Sequence, residues 1–257
     1  MDITLSELKI IADDKGFNIK LVEKDYLITY LLFLIKDIEN IYFKGGTALN
    51  KIFLNHARLS EDLDFTLTGE LNKVEKEIKD KLKETIFNKI TYDKRVNGFV
   101  RLLVRYRLFH EDGTIFIDLN KRAKLLQKPE KHEIIHFYTD YIPLFSINTL
   151  SKNEIVAEKM AATIGRNMPR DHFDLYNIIS HKIAVDLNLV EKKCRLSGYE
   201  FDITKMFNNA KKLKNRWDQD LAPLVKEKIT FQEVMQALSK YFKLKELKQI
   251  KSEKFDT

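Results

Sequence analysis

Between residues 41 and 67 the chain sets out an order of features that few folds accommodate. A short apolar run, Ile41-Tyr42-Phe43, leads into Lys44-Gly45-Gly46-Thr47, then into Ala48-Leu49-Asn50-Lys51-Ile52-Phe53-Leu54, and then into Ser60-Glu61-Asp62-Leu63-Asp64. This reads as strand, glycine turn and helix, with a second strand over Leu63 to Leu67. Carboxylates at i and i+2 of a strand leave on the same face, so Asp62 and Asp64 can grip one cation between them. Oxygen ligands alone select a hard divalent ion, magnesium or manganese. Gly45 and Gly46 let the backbone approach a ligand closely, and Thr47 offers a hydroxyl at a helix N-terminus. There, free N–H groups and the helix dipole favour phosphate oxygens. Asp118, which interrupts the apolar Ile115-Phe116-Ile117-Asp118-Leu119, is the candidate third carboxylate, because a buried acid needs a partner. From a neighbouring strand it can serve the same ion or a second one, which would steady both attacking and leaving oxygens. An isolated Asp-x-Asp is as readily a surface accident, and a glycine pair is as readily a plain turn. Their order is what points to a nucleotide and a metal.

The rest of the chain predicts an α+β fold. Apolar positions at helical spacing over residues 4–14 and 20–37 flank Gly16, a helix stop. The longest apolar run, Tyr26 to Ile35, is far shorter than the ~20 residues a membrane span needs and reads as a core helix. A charged amphipathic helix is expected over Glu70 to Asn88, followed by strands over Val100–Leu108 and Thr114–Leu119 joined by a turn at Glu111-Asp112-Gly113. The period of two in the first of these strands puts Arg101, Arg105 and Arg107 on one face. They are candidates for phosphates of a nucleic acid acceptor or of a triphosphate, or else the ordinary cations of a solvated strand. A basic connection over Lys121–Lys131 and strand-like pieces at Ile134–Tyr138 and Leu144–Ile147 complete the sheet region. From Ser151 onward the pattern is helical, opening on a Ser151…Glu154 capping box, restarting at Pro169 or Arg170 and running to about residue 249. Two domains are expected: residues 1–150, bearing the sheet, and residues 151–257, helical.

Charge divides along the same line. Of the 45 Lys+Arg and 38 Asp+Glu that give the 257 residues a net +7, residues 1–150 hold 24 and 23, and residues 151–257 hold 21 and 15. The excess is therefore C-terminal, which suits a polyanionic partner, although Lys-rich helices are also simply well solvated. A single cysteine, Cys194, excludes an internal disulfide and a thiolate zinc site. Met1-Asp2-Ile3-Thr4-Leu5 lacks the basic and apolar regions of a secretory signal, so a cytoplasmic protein with no membrane association is expected.

Lys44-Gly45-Gly46-Thr47-Ala48-Leu49 with Ser60-Glu61-Asp62-Leu63-Asp64-Phe65 resembles the signature of the AbiEii/AbiGii-type nucleotidyltransferase toxins, a MenT-containing branch of the DNA polymerase β-like superfamily. Val22-Glu23-Lys24-Asp25-Tyr26, Glu158-Lys159-Met160-Ala161-Ala162 and Pro169-Arg170-Asp171-His172-Phe173-Asp174-Leu175-Tyr176 are similar to its flanking motifs, in the same order. The resemblance implies a polymerase β-like nucleotidyltransferase core, with a mixed sheet flanked by N-terminal helices and a C-terminal helical region. It implies Asp62, Asp64 and Asp118 as magnesium ligands, with Asp118 as base or third ligand. Gly45, Gly46, Thr47 and Ser60 would lie at the nucleotide, Lys159 would contact the triphosphate, and Asp174 would be a downstream acid needed for activity. Asp171 reads as a helix-start residue or a partner of Arg170, and His172 as structural.

The reaction so implied transfers a nucleoside monophosphate from an NTP, with loss of pyrophosphate, to an acceptor that in the family is often the 3′ end of tRNA. A cognate antitoxin protein restrains it. The rival readings are a nucleotidyltransferase that modifies a protein or small molecule, and a non-catalytic nucleotide- or RNA-binding protein.

Overall fold

The computed structural model describes residues 3–109 and 112–253. The chain forms two compact units, one reaching to Ile155 and the other beginning at Val156. In the first, helix α1 (Leu5–Lys15) opens on a capping box between Thr4 and Glu7 and stops at Gly16, whose φ of 72° is the left-handed conformation that ends helices. The apolar run becomes α2 (Ile19–Ile35), whose Val22, Tyr26, Leu27, Ile28, Leu31, Leu32 and Ile35 are all buried. Apolar side chains around so much of its circumference make it a central helix with no solvent stripe.

The sheet holds β1 (Ile41–Lys44), β2 (Asp62–Leu67), β3 (Lys89–Val96), β4 (Phe99–Arg107), β5 (Asp112–Asn120), β6 (Glu130–Glu133) and β7 (Ser146–Thr149), in the order β3-β4-β5-β2-β1-β7-β6. It is mixed: β2 runs parallel to β5 and antiparallel to β1, and β1 runs parallel to β7. Helix α3 (Gly45–Ile52) follows β1 without an intervening turn, and α4 (Leu71–Leu82) follows β2. The fold class is α+β, as the sequence predicts.

Several boundaries differ from expectation. The two glycines are the first residues of α3 itself. Helix α4 ends at Leu82, short of Asn88. Ile134–Tyr138 is not a strand, although burial alternates along it; β6 lies just before it, beginning at the end of the stretch read as a basic connection. The strand β3 carries no alternating apolar signal, since all of its side chains but Ile90 are exposed. It is held by its ladder to β4 and by Glu75 of α4, which takes Arg95 Nη1 at 2.6 Å, Lys79 Nζ at 2.7 Å and the Tyr92 hydroxyl. Burial pushes the Glu75 carboxyl up, but the bonds from Lys79, Tyr92 and Arg95 outweigh it and hold it below the ordinary carboxylate value. The turn expected at Glu111-Asp112-Gly113 lies partly outside the described residues; Asp112 and Gly113 begin β5.

Helix α5 (Lys152–Gly165) begins at the end of the first unit. Ser151 Oγ accepts from Glu154 N at 3.1 Å, while the Glu154 carboxylate accepts from the backbone N–H of Leu126 and Gln127 at 2.9 and 3.0 Å and so fixes the connection after β5. The second unit continues with α6 (Pro169–Ser180), α7 (Leu187–Leu196), a short 3-10 helix (Ile203–Phe207), α8 (Ala210–Leu221), α9 (Phe231–Tyr241) and α10 (Leu244–Glu253). Met160, Leu175, Ile178, Val190, Cys194, Met206, Trp217, Val234 and Leu238 are buried in it. Among the described residues no helix is long and apolar enough to cross a membrane.

Candidate functional site

The alternation of β2, β4 and β5 divides the sheet into a closed and an open face. Leu63, Phe65, Val100, Leu102, Val104, Ile115, Ile117 and Leu119 are buried, whereas Asp62, Asp64, Arg101 and Asp118 are only half-buried. Register then gathers the chemistry. Lys44 lies opposite Asp64, Asp64 opposite Asp118, Asp118 opposite Arg101, and Arg101 opposite Lys94, so one row crosses five strands. Residues opposite one another across a ladder share a face, and Asp62 joins this one at two residues from Asp64.

Helix α3 is pressed against that row. Gly45 has φ +77°, and a methyl group on it would sit 2.2 Å from Asp64 Oδ2 and 2.9 Å from Asp64 Cγ. Only glycine allows both the dihedral angle and the approach, and the approach puts the N–H-rich end of the helix beside a carboxylate. A methyl on Gly46 would meet Arg58 Nη2 at 2.7 Å and Ser60 Oγ at 3.5 Å, so Ser60 borders the same first turn. Thr47 is buried, and its hydroxyl donates to the Asp62 carbonyl at 2.5 Å. Its observed bond therefore fixes the start of β2 to α3, in place of the open phosphate contact that its position suggested.

The frame around the row comes from residues to which the sequence reading gave no role. Asn50 donates to the Gly46 carbonyl at 3.0 Å and accepts from Arg58 N at 3.2 Å, while buried Arg58 donates from Nη1 to the Leu59 carbonyl at 3.0 Å. Each acid and base of Val22-Glu23-Lys24-Asp25 reaches a different segment. Glu23 accepts from Phe109 N at 2.8 Å, and Lys24 pairs with Glu61 at 3.2 Å. Asp25 pairs with Lys51 at 2.7 Å, both side chains being 2% exposed. Lys51 also donates to Thr29 Oγ1 at 3.0 Å, and the Tyr138 hydroxyl donates to the second Asp25 oxygen at 3.1 Å. A buried pair survives only when its remaining hydrogen-bonding capacity is met in this way. The motif was legible as a motif, but its pairing with Lys51 depends on the packing of α2 against α3.

Asp118 is gripped by Arg101, Nε to Oδ1 at 2.7 Å and Nη2 to Oδ2 at 2.7 Å. The Asp118 bonds hold the Arg101 guanidinium still further from deprotonation than usual. Arg105 and Arg107 are exposed further along β4, and Arg107 Nε faces Asp112 at 3.5 Å. Among the described residues no three His, Cys, Asp or Glu side chains are gathered closely enough to form a metal cage. The donors nonetheless suit a hard divalent cation: all are carboxylate oxygens, two come from neighbouring same-face positions, and the absent side chain of Gly45 keeps the flank of Asp64 open.

Lys159 and Asp174 lie in the second unit. Lys159 Nζ, on α5, bonds Asp171 Oδ1 at 3.0 Å and Asp174 Oδ2 at 2.8 Å, and all three residues are buried. Arg166 Nη2 adds a second cation at Asp171 Oδ1, at 2.9 Å. Asp171 is thus in the first turn of α6, as a helix-start residue should be, but the charges that hold it are Lys159 and Arg166. Both ring nitrogens of buried His172 face carbonyl oxygens, those of Met168 at 3.0 Å and Met206 at 2.7 Å, which ties α6 to the 3-10 helix.

A family model described as the nucleotidyl transferase AbiEii toxin of type IV toxin–antitoxin systems matches residues 31–238, most of the chain. Two solved structures share the fold. MenT4, a nucleotidyltransferase toxin of Mycobacterium tuberculosis, is 22% identical with a TM-score of 0.62, the match covering 75% of this chain and 69% of that one. JHP933 of Helicobacter pylori is 19% identical with a TM-score of 0.60, over 93% of this chain and 98% of that one. No curated protein matches the chain.

Proposed function

The chain belongs to the AbiEii family of nucleotidyltransferase toxins, and from that premise we propose that it transfers a nucleoside monophosphate from an NTP to the 3′ end of a tRNA, with magnesium or manganese at Asp62 and Asp64. Membership implies an antitoxin as the protein partner that holds the enzyme in check. The observation that carries the proposal is the open-face row, in which Asp62, Asp64 and Asp118 stand beside the glycine-opened start of α3. A divalent cation bound by these carboxylates supplies charge neutralisation at the triphosphate oxygens. The N–H groups of the first turn of α3 and the Ser60 hydroxyl orient phosphate oxygens. The acceptor hydroxyl oxygen bonds to the α-phosphorus as the bridge to the β-phosphate breaks and pyrophosphate leaves; its proton passes to a carboxylate oxygen of Asp118 or to solvent. Positioning and electrostatics are enough for such a transfer, which requires no covalent intermediate on the protein.

Lys159 enters the proposal as an oriented point charge for the triphosphate, two of its three donors being fixed by Asp171 and Asp174. The positive excess of residues 151–257 and the exposed Arg105 and Arg107 support a polyanionic acceptor. Purified protein incubated with α-labelled NTPs, magnesium and total RNA is expected to label a tRNA-sized band. Label in a protein or a small molecule instead would replace the acceptor, and no label in any fraction would overturn the proposal.

The close approach of α3 gives a second expected result. Gly45→Ala drives a methyl group into the Asp64 carboxylate at a left-handed φ, and displacing a reacting group by about 1 Å costs on the order of a hundredfold in rate. Labelling should fall by about that factor while circular dichroism shows a folded protein. Unchanged labelling would remove Gly45 from the site.

A further inference from the structure

We propose that Arg101 is the internal counter-ion of the carboxylate row, and that its fork on Asp118 and the loading of a divalent cation on the row exclude one another. This rests on the reading of Asp62 and Asp64 as a cation site. Arg101 and Asp118 are directly opposed in the β4–β5 ladder, and the two 2.7 Å bonds occupy both carboxylate oxygens. The guanidinium lies 5.3 Å over the ring of Phe116, which is opposite Asp62 in the β2–β5 ladder, and Asp93 Oδ2 is 3.9 Å from its Nη1. Held from three sides, it is an arginine of the site rather than an arm extended towards an acceptor. Arg105 and Arg107, two and four ladder positions away from Phe116, are exposed and keep the outward disposition expected of phosphate contacts.

Electrostatics supplies the reason for the fork. Asp62, Asp64 and Asp118 put three like charges on one face within two ladder steps, and without a cation their repulsion opposes folding. A guanidinium opposite Asp118 offsets part of it, with planar geometry suited to both oxygens at once. Each Asp118 oxygen keeps a further lone pair, so the competition is one of charge: a divalent ion drawing Asp118 into its ligand set would bring a second cation against the guanidinium. Its arrival therefore breaks the fork, and a planar cation suited to phosphate oxygens is released at the edge of the site. Arg101 is in this account a positioning residue: it holds Asp118 on the open face until the cation takes over.

Manganese is the probe, with free Mn²⁺ read by electron paramagnetic resonance on the full chain. Arg101→Gln removes a unit charge facing the ion and is expected to tighten Mn²⁺ binding about threefold to tenfold, and to lower the melting temperature in EDTA. Arg101→Lys keeps the charge without the fork and should fall between the two. In the wild-type protein, the slowly exchanging Arg101 Nε–H resonance should shift and exchange faster as magnesium is added. Unchanged or weakened Mn²⁺ binding in Arg101→Gln, or an Arg101 resonance indifferent to saturating magnesium, overturns the inference. Asp64→Asn separates the two failures. If it binds Mn²⁺ as the wild type does, the cation site itself is misplaced; if it loses Mn²⁺ while Arg101→Gln matches wild type, only the role of Arg101 fails.

Discussion

Asp64→Asn is expected to reduce nucleotide transfer by roughly a thousandfold, which corresponds to ~4 kcal/mol of lost transition-state stabilisation, while the protein melts no lower than wild type. The substitution keeps the shape of the side chain, so the contact with Gly45 and the register with Lys44 and Asp118 survive. It removes a charge, and that charge stands on a face with two like neighbours and a half-buried setting. In the metal-free protein the change removes repulsion from two carboxylates against attraction to one opposing lysine, Lys44, and the melting temperature in EDTA should stay level or rise. Loss of activity with retained or improved stability is the pattern of a site that folding tolerates rather than requires. A combined assay of labelled-NTP incorporation and thermal denaturation checks both halves. Transfer above about a tenth of wild type would show that Asp64 is not a metal-binding carboxylate in this enzyme.

The same alternation that exposes Asp64 made it legible. A period of two in Asp62-Leu63-Asp64-Phe65, and an apolar run that Asp118 interrupts in Ile115 to Leu119, are sufficient to put the three aspartates on strands, and the paired glycines place a helix start nearby. What periodicity cannot supply is the neighbour across the ladder. The β2–β5 pairing joins residues about fifty positions apart, and only that pairing sets Asp118 beside Asp64, while the register of the β4–β5 ladder turns Arg101 from a surface cation into the partner of an acid. The strand β3 was missed for a related reason. As an edge strand exposed on nearly every residue it needs no apolar alternation, and Lys89, Lys94 and Arg95 guard its free edge. The reverse error occurred at Ile134–Tyr138. Burial of Ile134, His136 and Tyr138 alternates as in a strand, but the backbone turns at Tyr138, whose carbonyl accepts from Tyr141 and Ile142. Periodicity reports which side chains are buried, and it reports hydrogen bonding only when a ladder partner is present.

Lys159→Met is expected to destabilise the protein by about 3–5 kcal/mol, the cost of leaving buried carboxylates without their cation, and so to lower the melting temperature by roughly 6–20 °C. The lysine is 8% exposed, and the two acids that it bonds are at 3% and 0%. Asp171 also holds a second cation, Arg166, at 2.9 Å. The pH dependence fixes the sign. Burial pushes the Asp171 carboxyl up, but the charges of Lys159 and Arg166 more than offset it and hold it below the ordinary value. A folded-state value below the unfolded one contributes stability above the unfolded carboxylate range near 4, and that contribution disappears as pH falls through the lower folded value. Without Lys159 the burial that raises the carboxyl is opposed by less charge. The protein should then prefer a protonated Asp171, and its melting temperature should rise as pH is lowered from about 7 to about 5, where that of wild type stays nearly flat. Adding Asp171→Asn to Lys159→Met removes one stranded charge and should recover part of the loss, a coupling that a double-mutant cycle measures directly. A variant that melts like wild type at every pH, yet transfers no nucleotide, would place Lys159 wholly at the triphosphate. A lowered melting temperature with the inverted pH slope places its first duty in the buried cluster of α5 and α6.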